Sequence, residues 1–169
     1  MNVRLCGPAD EDLSLINRWL QADHVRRYWG DPQENIRWLR EPPAPGSGRA
    51  IIEADGRKVG LALWQHPTRE ELDLAGLNDI PTSVIDIDIM IGECDAVGRG
   101  FGSEAIRMVA EAALADPSVP FVIGCAEMGN VASQRAFGKA GFCKARVFDD
   151  VPNGACVLLV CRRRGEGDE

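Results

Sequence analysis

The amino-acid sequence predicts an α/β domain with a mixed sheet. Two observations carry that prediction. Short apolar runs alternate with amphipathic stretches through the second half of the chain, the pattern of strands and helices laid down in turn. One of those runs, residues 84–91, leads into a glycine-rich loop that opens a helix. The chain has 169 residues and no repeat, low-complexity block or long linker, so one domain over residues 1–169 is expected.

Taken in order, residues 5–8 read as a strand stopped by Pro8. Asp10 or Asp12 is placed to cap a helix in which Leu13, Ile16, Trp19 and Leu20 share a face. Segments 24–29 and 31–39 follow as shorter helices, and residues 41–48, rich in Pro and Gly, are a loop. Trp19 and Trp38 are expected in the core. Residues 49–54 and 58–65 form a hairpin around Asp55-Gly56. Residues 67–83 read as a polar, acid-rich loop, and 84–91 as a strand. A helix over 102–114 has Phe101, Ala105, Met108, Val109, Ala112 and Ala113 on its apolar side. Residues 121–125 are a buried strand, and a helix over 130–140 stops at Gly141. Strands 143–148 and 156–162 flank the turn Pro152-Asn153-Gly154, and the charged tail from Arg162 is expected to fray.

Composition narrows the function. With 45% hydrophobic and 27% charged residues, the chain is an ordinary globular one. No window approaches the roughly 18 apolar residues of a membrane span, and the first residues lack the apolar core of a signal peptide. A cytoplasmic protein is expected. The formal charge of −7 disfavours nucleic acid and favours a cationic small molecule. Six cysteines without a Cys-x-x-Cys pair, and two histidines, give no metal site; reduced thiols are the expectation.

Gly98, Gly100 and Gly102 let the backbone approach a ligand closely. The free amides and dipole of the helix that follows favour an anion, with Ser103 and Arg99 as further contacts. Gly-x-Gly-x-Gly is neither a dinucleotide fingerprint nor a P-loop. The loop is a phosphate cradle or a plain flexible turn. On the strand before it, Asp86 and Asp88 point one way while Ile85, Ile87, Ile89 and Ile91 point the other. The aspartates face either water or a cleft.

Val97-Gly-Arg-Gly-Phe-Gly102 resembles the Arg/Gln-x-x-Gly-x-Gly/Ala pyrophosphate motif of the GNAT family of N-acetyltransferases. Asn130 to Phe142 resembles the family's later Asn-x-x-Ala-x-x-x-Tyr-x-x-x-Gly-Phe motif. Three further segments are similar to aminoglycoside 6′-N-acetyltransferases: Trp19-Leu…His24-Val-Arg-Arg-Tyr-Trp-Gly30, Ile87-Asp-Ile-Met-Ile-Gly92 and Asp116-Pro-Ser-Val119. The first of these is shared with acyltransferases of siderophore biosynthesis. The resemblance implies an α+β domain with a mixed, mostly antiparallel central sheet flanked by helices on both faces. It places the cofactor half at about residues 84–142 and gives the acceptor the N-terminal helices and the 67–83 loop.

The resemblance implies acetyl-CoA as cofactor, held by Ile89, Met90, Ile91, Val97, Gly98, Arg99, Gly100, Phe101, Gly102, Ser103, Asn130, Ser133 and Phe137. Asn130 is equally suited to cap a helix. Asp88 is the candidate to bind an ammonium and relay its proton. The acceptor contacts are Tyr28, Trp29, Asp73, Asp86, Asp88, Glu127, Asp149 and Asp150, with Glu70, Glu71 and Asp79 as further acids. Three departures stand out. Val97 replaces Arg or Gln, Phe137 replaces the tyrosine often proposed as general acid, and Cys125 falls where an aspartate often faces substrate. Glu127 is a candidate substitute for that aspartate.

The reading that follows is N-acetyl transfer to a primary amine of a small cation, an aminoglycoside 6′-amine first. The alternatives are a siderophore hydroxylamine, a polyamine or a protein N-terminus as acceptor, and a non-catalytic acyl-CoA-binding module. A monomer or homodimer is expected.

Overall fold

The computed structural model describes residues 1–151 and 153–165. Among them, seven strands form one sheet in the order β1-β2-β3-β4-β5-β7-β6. β1 (Val3–Cys6), β2 (Gly48–Ala54), β3 (Arg57–Gln65) and β4 (Ile85–Ile91) are successively antiparallel. β4 and β5 (Val122–Glu127) are parallel. β7 (Gly154–Cys161) is antiparallel to both β5 and β6 (Cys143–Asp150). The hairpin turn between β2 and β3 puts Asp55 and Gly56 at φ 50° and 82°, as a right-twisted two-residue turn demands.

Both faces are covered, and β2 shows how. Ile51 packs with Ile16, Trp19, Leu20 and Leu39 of α1 (Asp12–Gln21) and α3 (Pro32–Arg40). Its neighbour Ile52, on the other face, packs with Phe101, Ala105 and Ile106 of α5 (Phe101–Leu114). α2 (Asp23–Trp29) joins the first layer and α6 (Val131–Lys139) the second. On the first face, the β5–β7 half has a cover of its own. There α4 (Arg69–Leu74) and the segment after it seat Leu72, Leu77 and Ile80 on Val84, Ile123 and Leu158. A cleft remains between the two covers. Among the described residues, no helix is long and apolar enough to cross a membrane.

Several sequence expectations are corrected. The 67–83 segment is not all loop: Thr68 and Glu71 form a capping box that starts α4, with Glu71 N–H donating to Thr68 Oγ1 at 3.1 Å. Neither Asp10 nor Asp12 caps α1. Asp12 is its first residue, buried, and its carboxylate accepts from Ala9 N–H at 2.9 Å and Lys58 Nζ at 2.6 Å. β1 begins at Val3, because pairing with β2 rather than the proline sets its length. The buried side of α5 carries Ile106 and Ala110, while Ala112 is exposed. Trp38 is 41% exposed. The tail past β7 is docked at least to Arg163, whose guanidinium donates to Leu114 O, Asp116 O and Val119 O. Of the turn expected at 152–154, Pro152 lies outside the described residues.

Candidate active site

β4 and β5 pair only at Ile85–Val122 and Asp86–Ile123 and then part. On its other edge β4 stays on β3 as far as Ile91–Gly60, and Gly92 N–H donates to Val59 O at 2.8 Å. An antiparallel ladder alternates, so Asp86, Asp88 and Met90 turn their backbone groups toward β3, while Ile89 and Ile91 turn theirs into the gap. His24 Nε2 lies 2.9 Å from Ile91 O. A carbonyl only accepts, so that nitrogen carries the proton.

Over the gap lies a groove of about 430 Å³. Val25, Met90, Ala96 and Phe101 give it apolar walls. Gly98 and Gly100 hold φ of 76° and 87°, a region that disfavours side chains. Gly100 precedes α5, and no side chain caps that helix. Its first-turn amides and positive dipole end are therefore available to an anion. Arg135 and Lys139, one turn apart on α6, line the same groove. Backbone amides, a helix terminus and two cations fit a polyphosphate, and the apolar walls fit the chain attached to it.

Beside the groove, between the two covers of the sheet, lies the second cavity, of about 570 Å³. Glu71, Asp86, Asp88, Glu127 and Asp150 line it; among the described residues no Lys, Arg or His does. Tyr28, Trp29 and Trp38 supply aromatic surface. The two cavities share Tyr28, Trp29, Ile89, Asn130 and Ser133, and Asp88 adjoins that junction. Solvent reaches Asp88 through the cleft, yet the surrounding protein raises its pKa to about 6 by desolvation. Asp86 is also pushed well above the usual carboxylate range, first by burial and then by the charges of Asp88 and Glu71. Burial and the same two aspartates push the Cys125 thiol up, which removes it as a nucleophile.

Most residues expected at the cofactor do line the groove: Ile89, Met90, Ile91, Val97, Gly98, Gly100, Phe101, Gly102, Ser103, Asn130 and Ser133. Two do not. The Arg99 guanidinium lies over the Phe101 ring, 5.2 Å from its centroid. Phe137 is 1% exposed, packed edge-on against Phe142 at 5.0 Å, and borders the acidic cleft instead. Asn130 caps α6, its Oδ1 accepting from Ser133 N–H at 3.1 Å, and borders both cavities.

Of the expected acceptor contacts, Tyr28, Trp29, Asp86, Asp88, Glu127 and Asp150 line the cleft. Asp73 does not, because Arg69 Nε and Asn78 Nδ2 hold its carboxylate at 2.8 and 3.0 Å. Asp149 does not either, because strand alternation puts it on the opposite face of β6 from Asp150. Asp79 pairs with Arg146, and Glu70 is exposed. Sequence reasoning missed Arg135 and Lys139; their spacing of four on the helix after Asn130 was the available signal.

Parted strands, an open helix terminus and an adjoining acidic cleft define an enzyme class that holds a phosphate-bearing acyl carrier and presents it to an amine. The chain belongs to the acetyltransferase (GNAT) family, whose domain matches residues 8–150. It is 24% identical to the aminoglycoside N(6′)-acetyltransferase type 1 of Klebsiella pneumoniae over 173 residues, covering 96% of this chain and 84% of that one. Among solved structures, the fold is similar to AAC(6′)-Ib in complex with paromomycin and acetyl-CoA, with a TM-score of 0.80, 21% identity and 100% of both chains covered. It is similar as well to AAC(6′)-Ib in complex with coenzyme A and kanamycin, with a TM-score of 0.79, 21% identity and 96% and 95% coverage.

Proposed function

We propose that this chain transfers the acetyl group of acetyl-CoA to a primary amine of a small polycation, with the 6′-amine of an aminoglycoside as the first candidate. One observation carries the reading. The acidic cleft, lined by no Lys, Arg or His among the described residues, shares Ile89 with the phosphate-suited groove, and Asp88 is the next residue on the cleft side, so an amine and an acyl carrier bound in the two cavities meet there. The aminoglycoside enzymes to which the chain is similar support the choice of acceptor.

Acetyl-CoA supplies an activated thioester. The α5 amides, Arg135 and Lys139 hold its phosphates, and the amides of Ile89 and Ile91 face the gap where a developing oxyanion needs donors. Tyr28 and Trp29 present flat surface to the acceptor and exclude water from the junction. The Asp88 carboxylate binds the ammonium and takes its proton; at a pKa of about 6 it is a better base than an ordinary aspartate. With Phe137 buried and without a hydroxyl, no phenol from α6 protonates the departing thiolate, whose pKa of roughly 8.5 allows it to leave unassisted.

Thiol release from acetyl-CoA, followed with kanamycin, tobramycin and spermidine, tests the proposal. Turnover with the aminoglycosides supports it. Turnover with spermidine alone moves the acceptor to linear polyamines, and acetyl-CoA binding without turnover on any amine leaves a binding module.

A further inference from the structure

Asp86 differs from the other cleft carboxylates. Its Oδ1 is shut off from solvent and has no hydrogen-bond partner. The titratable groups that line the cleft with it are all acids: Asp88 on its own strand, Glu71 from α4, Glu127 and the Cys125 thiol from β5, Asp150 from β6, the Cys156 thiol from β7 and the Tyr28 phenol from α2. A buried acceptor without a donor is destabilising, because its lost hydration is not replaced. Among the described residues lining the cleft, no cation stands ready to relieve it. A donor arriving from outside must offset the repulsion among the acids as well, and an ammonium does both. Asp88 lies two residues further along the same face of β4, about 7 Å away at the rise of an extended strand.

We propose that Asp86 receives a second ammonium of the acceptor while the amine to be acetylated lies at Asp88, so that the site selects acceptors with two amines about 7 Å apart. The inference rests on the acetyl-transfer reading for the role of Asp88. It carries a signature that does not depend on turnover. Burial and the charges of Asp88 and Glu71 push the Asp86 carboxyl well above the usual carboxylate range, so the free protein holds this proton to higher pH. An ammonium docking on the Asp86 carboxyl from the cleft side favours the carboxylate, the carboxyl O–H bond breaks, and the proton passes to solvent. Binding of a polyamine therefore lowers that pKa and releases protons from this residue over the pH range in which the free carboxyl still holds one.

The full chain is titrated with kanamycin by calorimetry at several pH values between about 5 and 8, each in two buffers of different ionisation enthalpy, as wild type and as Asp86→Asn. The wild type is expected to release a proton on binding and the variant to lose that release. Kanamycin affinity should fall at least ten-fold more in the variant than affinity for 6-amino-6-deoxyglucose, which has one amine. A coenzyme A titration of the variant reports whether it is folded. Should it not fold, the wild-type proton count and its preference for kanamycin over the monoamine decide alone. Wild-type binding without proton release, unchanged release in the variant, or equal losses toward both amines would overturn the proposal. Kanamycin binding with proton release but no thiol release from acetyl-CoA with kanamycin, tobramycin or spermidine would remove the acetyl-transfer reading and leave the role of Asp86 standing. Failure of both kanamycin and spermidine to bind would overturn both.

Discussion

Phe137 fills the space that a side chain at residue 124 would need. A Cβ on Gly124 would stand 2.3 Å from Phe137 Cε1, closer than real atoms approach. The bare backbone of β5 lets the aromatic ring of α6 lie flush against the sheet, where Phe142 meets it edge-on. Gly124→Ala must displace that ring within a packed core. A loss of about 1–3 kcal/mol is expected, read as a lower midpoint in chemical denaturation with an unchanged slope.

Asp88 gives a pH signature. Its folded pKa of about 6 lies above the unfolded value of about 3.9, so the folded state binds the proton more tightly. Activity requires the carboxylate and should rise with pH through a limb near 6. Asp88→Asn should remove the limb and reduce kcat/KM roughly 10²- to 10⁴-fold with little change in coenzyme A affinity. Stability moves oppositely: the contribution of a raised carboxyl is full below pH ~3.9 and lost as pH rises through about 6. The melting temperature of the Asn variant should depend less on pH across that window. Equal activity of variant and wild type would exclude Asp88 from the mechanism.

Gly100 holds φ of 87° at the mouth of α5. Gly100→Val forces a β-branched residue into that conformation at a cost of roughly 1–3 kcal/mol, or moves the loop. The variant should retain its far-ultraviolet circular dichroism and lose at least ten-fold in coenzyme A affinity by calorimetry. Undiminished binding would place the phosphates elsewhere.

Arg135 and Lys139 are predicted to hold the phosphates from α6. Replacing both with Ala should weaken coenzyme A about ten-fold at low ionic strength. The deficit should shrink near 1 M salt, where charges are screened beyond about 3 Å. A deficit that ignores salt would point to lost packing rather than lost charge.

The sequence was most readable where backbone chemistry is local. Positive-φ glycines, the Asp55-Gly56 turn and the alternation on β4 follow from residue type and spacing, and each is in place. The same alternation separates Asp149 from Asp150, although their shared acidity suggests a common role. Asp73 departs from its expected place for a different reason: its partners, Arg69 and Asn78, meet it only once α4 forms. The capping box that starts α4 was present in Thr68-Arg-Glu-Glu71 and outweighs the polar, loop-like composition around it. The parting of β4 from β5 has no local signature, because it depends on where a pairing between distant segments stops.

The cleft, lined by five carboxylates and by no Lys, Arg or His among the described residues, has a consequence for the end of a catalytic cycle. Converting an ammonium to an amide erases one positive charge, and at 4 Å in a half-sheltered site each such attraction amounts to about 4 kcal/mol before solvation is counted. The reaction thus discharges its own product, since what leaves is held by one tether fewer than what entered. The surroundings of Asp88 that draw the amine in are those that let the amide go.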